Sequence, residues 1–225
     1  MRSVLAALGW AILCCAALAT GRPVICVDPG HISEVGAGTR GKKVTELQIA
    51  WDVALRLKAK LEGLGYDVVL TKNSLRQVVT NRHRAEVANK AHADYMVRLH
   101  CDAANGSGFA SYYPAVRGTA YGTTGPSPLV LRMSKDYAGR FHAALATALK
   151  GKLRNNGLKT DAQTAVGSQH GGALIGSIYS NVPVVLVEMV VLTNPKDEAF
   201  IASTEGQDAM ATALAQGVLA ALKRD

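Results

Sequence analysis

The sequence predicts an α/β fold: a single domain with a central, mostly parallel sheet flanked by helices on both faces. Three observations predict it. Three runs, Pro23–Asp28, Asp94–Cys101 and Pro183–Glu188, are almost continuously apolar, the pattern of strands covered on both faces. Amphipathic helical stretches separate such runs, so residues 23–71 read as a βαβ unit, which makes a parallel pair. No repeat, low-complexity linker or break in composition divides the 225 residues, and 48% of them are hydrophobic, enough for one substantial core.

The elements follow in order. Pro23–Asp28 is the first strand, and Pro29–Thr45 a long polar loop with several glycines. Thr45 is placed to cap a helix from Glu46, which carries Leu47, Ala50, Trp51, Ala54, Leu57, Leu61 and Leu64 on one face and ends at Gly63 and Gly65. Asp67–Thr71 is the second strand. Thr80–Ala93 reads as a helix, Asp94–Cys101 as the third strand and Gly108–Tyr113 as a shorter one. Residues 114–127 read as a surface loop, Leu129–Leu149 as a long helix, and Gly151–Ser180 as irregular chain around Ala173-Leu174-Ile175. Pro183–Glu188 is a buried strand, followed by helices over Pro195–Ala202 and Thr204–Leu222.

Residues 1–19 read as a signal peptide: Arg2 supplies the positive end, Val4–Leu18 is apolar, and Ala17-Leu18-Ala19 is a cleavage signal. The expected mature chain is 20–225, exported to the periplasm or the cell wall and without stable membrane insertion. An uncleaved anchor or a lipid-modified Cys14 or Cys15 are the alternatives. Of the mature cysteines, Cys26 sits before the sheet edge and Cys101 past it, so two buried thiols are expected rather than a disulfide. The net charge of +8 comes from scattered basic residues without aromatic platforms, which argues against nucleic acid and favours anionic envelope polymers. A monomer is the expected state.

Four dispersed residues carry the chemistry. His31, His100 and Glu188 close apolar runs, and Glu46 opens a helix that follows the first of them. In open α/β sheets, functional groups gather beyond the carboxyl ends of strands. Two histidines and a carboxylate can bind zinc with a position left open, and a further carboxylate can act as general base. A carboxylate such as Glu188, after four consecutive apolar residues, must be paired, metal-bound or functional.

The motifs around these residues resemble the zinc-dependent N-acetylmuramoyl-L-alanine amidases of the amidase type 3 family. Val24–His31 is similar to its strand and D-P-G-H turn, and Gly36-Ala37-Gly38 with Glu46 to its G-A-x-G…E segment. Thr71, Arg84–Asn89 and Ala93-Asp94 resemble its T-R…R-x-x-x-A-N…A-D stretch, with Lys72 in place of arginine. Leu99-His100 matches the end of its S-I-H strand, and Pro183–Glu188 with Leu192–Asp197 its P-A-V-L-V-E…L-S-N-x-x-D. The resemblance implies one Zn2+ ion held by His31, Glu46 and His100, with Glu188 as the catalytic carboxylate. It implies cleavage of the amide between the lactyl group of N-acetylmuramic acid and L-alanine, in peptidoglycan or muropeptide fragments. A zinc peptidase cutting within stem peptides and a non-catalytic wall-binding protein are the rival readings.

The chain departs from the pattern at Ile32-Ser33, Cys101-Asp102 and Val190-Val191. Asp102 is a candidate to orient a ligand histidine, and His170 to touch substrate. Asp28 reads either as structural or as a support behind a ligand, and Arg84 and Asn89 as residues that hold the fold.

Overall fold

The apolar runs become the middle of a six-stranded sheet in the computed structural model, which describes residues 21–223. The signal peptide, its cleavage point and the anchor and lipid alternatives therefore lie outside the described residues. The elements are β1 (Val24–Pro29), α1 (Glu46–Gly63), β2 (Asp67–Leu70), α2 (Asn81–Lys90), β3 (Tyr95–Asp102) and β4 (Phe109–Tyr113). A hairpin, β5 (Gly118–Ala120) and β6 (Thr123–Gly125), precedes α3 (Pro128–Ala148) and β7 (Asn155–Thr160). Then come α4 (Ala165–Gln169), α5 (Ile175–Ile178), β8 (Val184–Val191), α6 (Pro195–Ala202) and α7 (Thr204–Leu222).

The strand order is β2-β1-β3-β8-β4-β7. The four strands from β2 to β8 run parallel; β4 is antiparallel to β8 and parallel to β7. Alternation along each strand assigns its two sides to different partners. Tyr95, Val97, Leu99 and Cys101 of β3 and Val185, Val187 and Met189 of β8 join Leu57 of α1, Phe141 of α3 and Leu214 of α7 in the main core. Each such side chain, fully buried, stabilises the fold by about 1.5–3 kcal/mol. The opposite side is thinner: Ala88 of α2 packs on Cys26, Met96 and Val184, and Leu174 packs on Ala110, Tyr112 and Leu186.

Cys26 and Cys101 are both buried and free. They project from opposite sides of the sheet, a stronger obstacle to bridging than their offset. Three expectations need correction. Residues 114–127 contain a hairpin where a surface loop was expected. Residues 151–180 contain an edge strand and two short helices. The last apolar strand runs on to Val191, so Glu188 sits inside β8 rather than at its end.

Candidate metal centre and catalytic cavity

Thr45 caps α1, its hydroxyl accepting from the Gln48 amide at 3.3 Å, and so fixes Glu46 in the first turn. Glu46 is 3% exposed. Its Oε2 accepts from the Thr39 amide at 2.8 Å and its Oε1 from the Cys101 amide at 3.1 Å. The same Oε1 lies 3.0 Å from His31 Nε2 and 3.0 Å from His100 Nδ1. Burial alone would raise the Glu46 pKa, but hydrogen bonds from His100 and His31 outweigh it and hold the carboxyl far below its ordinary range.

His31 follows β1 in a left-handed conformation, φ 57°. Its Nδ1 meets the Gly36 carbonyl at 3.1 Å, and its own carbonyl accepts from Lys72 Nζ at 2.6 Å. Lys72 is 1% exposed, and burial together with the Arg84 charge lowers its pKa to about 8. Two motif glycines have a steric reason. A Cβ on Gly30 would lie 2.6 Å from the His100 ring, and one on Gly38 2.7 Å from Glu46 Oε2 and from His31 Cδ2.

His100 and Glu188 are register partners on adjacent parallel strands, so their side chains leave the same side of the sheet. Burial lowers the His100 pKa. Glu188 Oε2 is buried with no hydrogen-bond partner among the described residues. Burial, then the Glu46 and Asp102 charges, pushes the Glu188 pKa well above the carboxylate range. One ligand atom from each of His31, Glu46 and His100 lies within 4.8 Å of the other two. Two imidazoles and a carboxylate at that spacing, beside an unpartnered buried carboxylate oxygen, fit a zinc ion with one side open.

All four residues line a cavity of about 260 Å³. Its remaining walls include Val35, Asn81, Arg98, Asp102, Leu186, the Thr164–Val166 turn and Leu174-Ile175. Asp102 faces this cavity but hydrogen-bonds neither histidine; Glu46 takes His100 Nδ1 and the Gly36 carbonyl takes His31 Nδ1. The expectation that Asp102 orients a histidine is not met. His170 ends α4, gives its carbonyl to the Thr119 amide and is not part of the cavity wall. Asp28 is structural: it accepts from Arg84 at 2.5 Å, Arg98 at 2.9 Å and Thr71 at 2.5 Å. Asn89 ties α2 to the chain after α5, donating to the Tyr179 carbonyl and accepting from the Asn181 amide.

Sequence reasoning passed over Arg98, Asn81 and the wall at residues 164–175. Arg98 had a readable signal, since a cation interrupts an apolar strand two residues before His100 and on its side. The wall had none, because its short helices are held by tertiary contacts.

A family model described as N-acetylmuramoyl-L-alanine amidase (Amidase_3) matches residues 25–220. An N-acetylmuramoyl-L-alanine amidase of Mycobacterium tuberculosis is 28% identical over 221 residues, covering 87% of this chain and 84% of that protein. A second from the same organism, CwlM, is 29% identical over 203 residues, covering 88% of this chain but only 42% of its own length. In three dimensions the chain is similar to an N-acetylmuramyl-L-alanine amidase of Mycobacterium smegmatis, with TM-score 0.75 and 21% identity over 90% of this chain and 97% of that one. At that identity the likeness speaks for the fold. With the family match spanning nearly all the described residues, the chain belongs to the N-acetylmuramoyl-L-alanine amidase family, enzymes of the amide bond between N-acetylmuramic acid and L-alanine.

Proposed function

We propose that His31, Glu46 and His100 hold one Zn2+ ion and that Glu188 is the general base and acid of the hydrolysis. The observation that carries this reading is the convergence of His31 Nε2 and His100 Nδ1 on one Glu46 oxygen, with Glu188 in register beside His100. The substrate is the amide joining the lactyl group to L-alanine in peptidoglycan or its soluble fragments. The site of action is outside the cytoplasm, in the periplasm or the wall, a reading that rests on the apolar leader. Among the described residues no helix is long and apolar enough to cross a membrane.

Zinc bound by these side chains supplies a Lewis acid that polarises a carbonyl and lowers the pKa of water from about 15.7 to about 7, and its charge opposes the rise in the Glu188 pKa. The chain does the proton work. Glu188 Oε2, without a hydrogen-bond partner among the described residues, takes a proton from the attacking water as the water oxygen bonds to the scissile carbonyl carbon. The carbon–nitrogen bond then breaks, and Glu188 returns that proton to the departing nitrogen, releasing an L-alanine amino terminus and a lactyl carboxylate. Glu46 keeps both imidazoles aimed at one point, and the apolar wall of Val166, Leu174 and Leu186 limits water around Glu188.

Mass spectrometry of a purified muramyl peptide treated with zinc-loaded protein tests the proposal. The expected products are separate sugar and L-alanine-led peptide, absent when a chelator is added. Cleavage at a later bond would replace the amidase with a peptidase.

A further inference from the structure

Arg98 is the one lysine or arginine among the residues that line the catalytic cavity. Its Nε donates to Asp28 Oδ2 at 2.9 Å and its Nη2 to Asn81 Oδ1 at 2.6 Å. Its Nη1 makes no hydrogen bond to any described residue. That nitrogen lies against Gly176 of α5, where a Cβ would sit 2.6 Å away, so the absent side chain leaves it room.

The carboxylate that Arg98 hydrogen-bonds is shared with a second guanidinium. Arg84 and Arg98 both donate to the Asp28 carboxylate, while Asp161, 1% exposed, lies near enough to Arg98 to feel its charge but takes no hydrogen bond from it. A guanidinium edge open to a cavity is a site for a carboxylate. Of the carboxylates that line the cavity, Glu46 is held by the histidines, Glu188 carries the proton, and Asp102 makes no hydrogen bond to Arg98.

Distance limits which substrate group can arrive. Arg98 and His100 share a side of β3 two residues apart, about 6.7 Å along the strand. In an extended peptide, the α-carboxyl carbon of the second amino acid lies about 6 Å from the nitrogen of the first. When the scissile amide sits beside His100 and Glu188, the spans match.

We propose that Arg98 is a specificity residue that receives a free α-carboxylate on the second residue of the stem peptide. The proposal rests on the amidase reading above. It makes the protein selective for acidic stems over stems amidated at that position, with no change in the bond cut.

The test uses the zinc-loaded protein and two N-acetylmuramoyl-L-alanyl dipeptides that differ only in a carboxylate or a carboxamide at that position. The expected kcat/KM ratio in favour of the carboxylate is at least about tenfold, the size of a charge-assisted hydrogen bond. In Arg98→Gln the ratio falls to within about twofold, whatever the absolute rates. Arg98→Lys keeps a cation for Asp28 but lacks the fork to serve two acceptors, and its ratio falls to within about threefold. Equal rates on both substrates in the unmodified protein overturn this inference alone. An undiminished ratio in either variant also overturns it. Cleavage of neither dipeptide with zinc bound overturns the amidase reading and this inference with it.

Discussion

The two sides of β3 and β8 differ as much as any two regions of the molecule. One side presents Tyr95, Val97, Leu99, Val185 and Val187 to α1, α3 and α7; the one polar side-chain group among these five is the Tyr95 hydroxyl, buried with no hydrogen-bond partner among the described residues. The other presents Arg98, His100, Asp102 and Glu188 to a cavity under short helices and loops. Val97, Leu99 and Val187 are each the neighbour in sequence of a chemical residue. The period of two thus lets one strand supply stability and chemistry at once, with little interference between them. A substitution on one side is expected to leave the other largely intact.

The largest effect expected on the chemical side is the loss of a ligand. His31→Ala abolishes both stoichiometric zinc and turnover, read by metal analysis and product release; retention of both would remove His31 from the centre. Next is Glu188→Gln, which lowers kcat by about 10²–10⁴-fold while zinc stays bound. Full turnover in that variant would refute the proton-transfer role. The metal-free protein adds a sign to check. A carboxyl raised above its ordinary pKa costs the folded state stability once pH exceeds that ordinary value. Metal-free Glu188→Gln is therefore more stable than the unmodified protein at neutral pH, and the gap closes on acidification.

Asp28 sharpens the comparison, because it lies on the chemical side yet serves stability. Burial would raise its pKa, but Arg84 and Arg98, with the Thr71 hydroxyl, hold it far below the carboxylate range. A depressed carboxyl stabilises the fold above its unfolded pKa, about 3.9, and that contribution fades as pH falls toward the folded value. Asp28→Asn is expected to cost about 3–5 kcal/mol near neutrality, because two buried guanidiniums lose their partner. It should also flatten the stability–pH slope below about pH 4, measured by urea unfolding across pH. On the apolar side, Leu99→Ala is expected to cost about 2–5 kcal/mol by leaving a cavity. Its zinc stoichiometry should not change, although Leu99 is the residue next to His100. Lost zinc at unchanged stability would mean that the two sides are coupled through the strand.

Much of this arrangement was legible in the sequence. The apolar runs, the Thr45 cap and the four chemical residues are local signals, each readable from spacing and residue type. The position of Glu188 was misread because Val190 and Val191 extend β8 past the expected stop. Edge strand β7, Asn155–Thr160, was missed because an edge strand beside β4 needs no apolar alternation. Helices α4 and α5 are too short to be stable alone. They are set by tertiary bonds, such as Asp161 Oδ2 accepting from the Leu174 amide at 3.1 Å.

The sequence by itself determined the fold class, the order of its main elements, the four chemical side chains and the family they resemble. These are written in periodicity, capping residues and short motifs, all properties of neighbouring positions. Only the tertiary structure decided that His31 and His100 meet at a single oxygen of Glu46, and that Asp102 and His170 stand apart from that meeting. It alone set Arg98 between Asp28 and the cavity. Those facts depend on strand register and loop closure across intervals of tens of residues, where a shift of one position turns a side chain to the other side of the sheet.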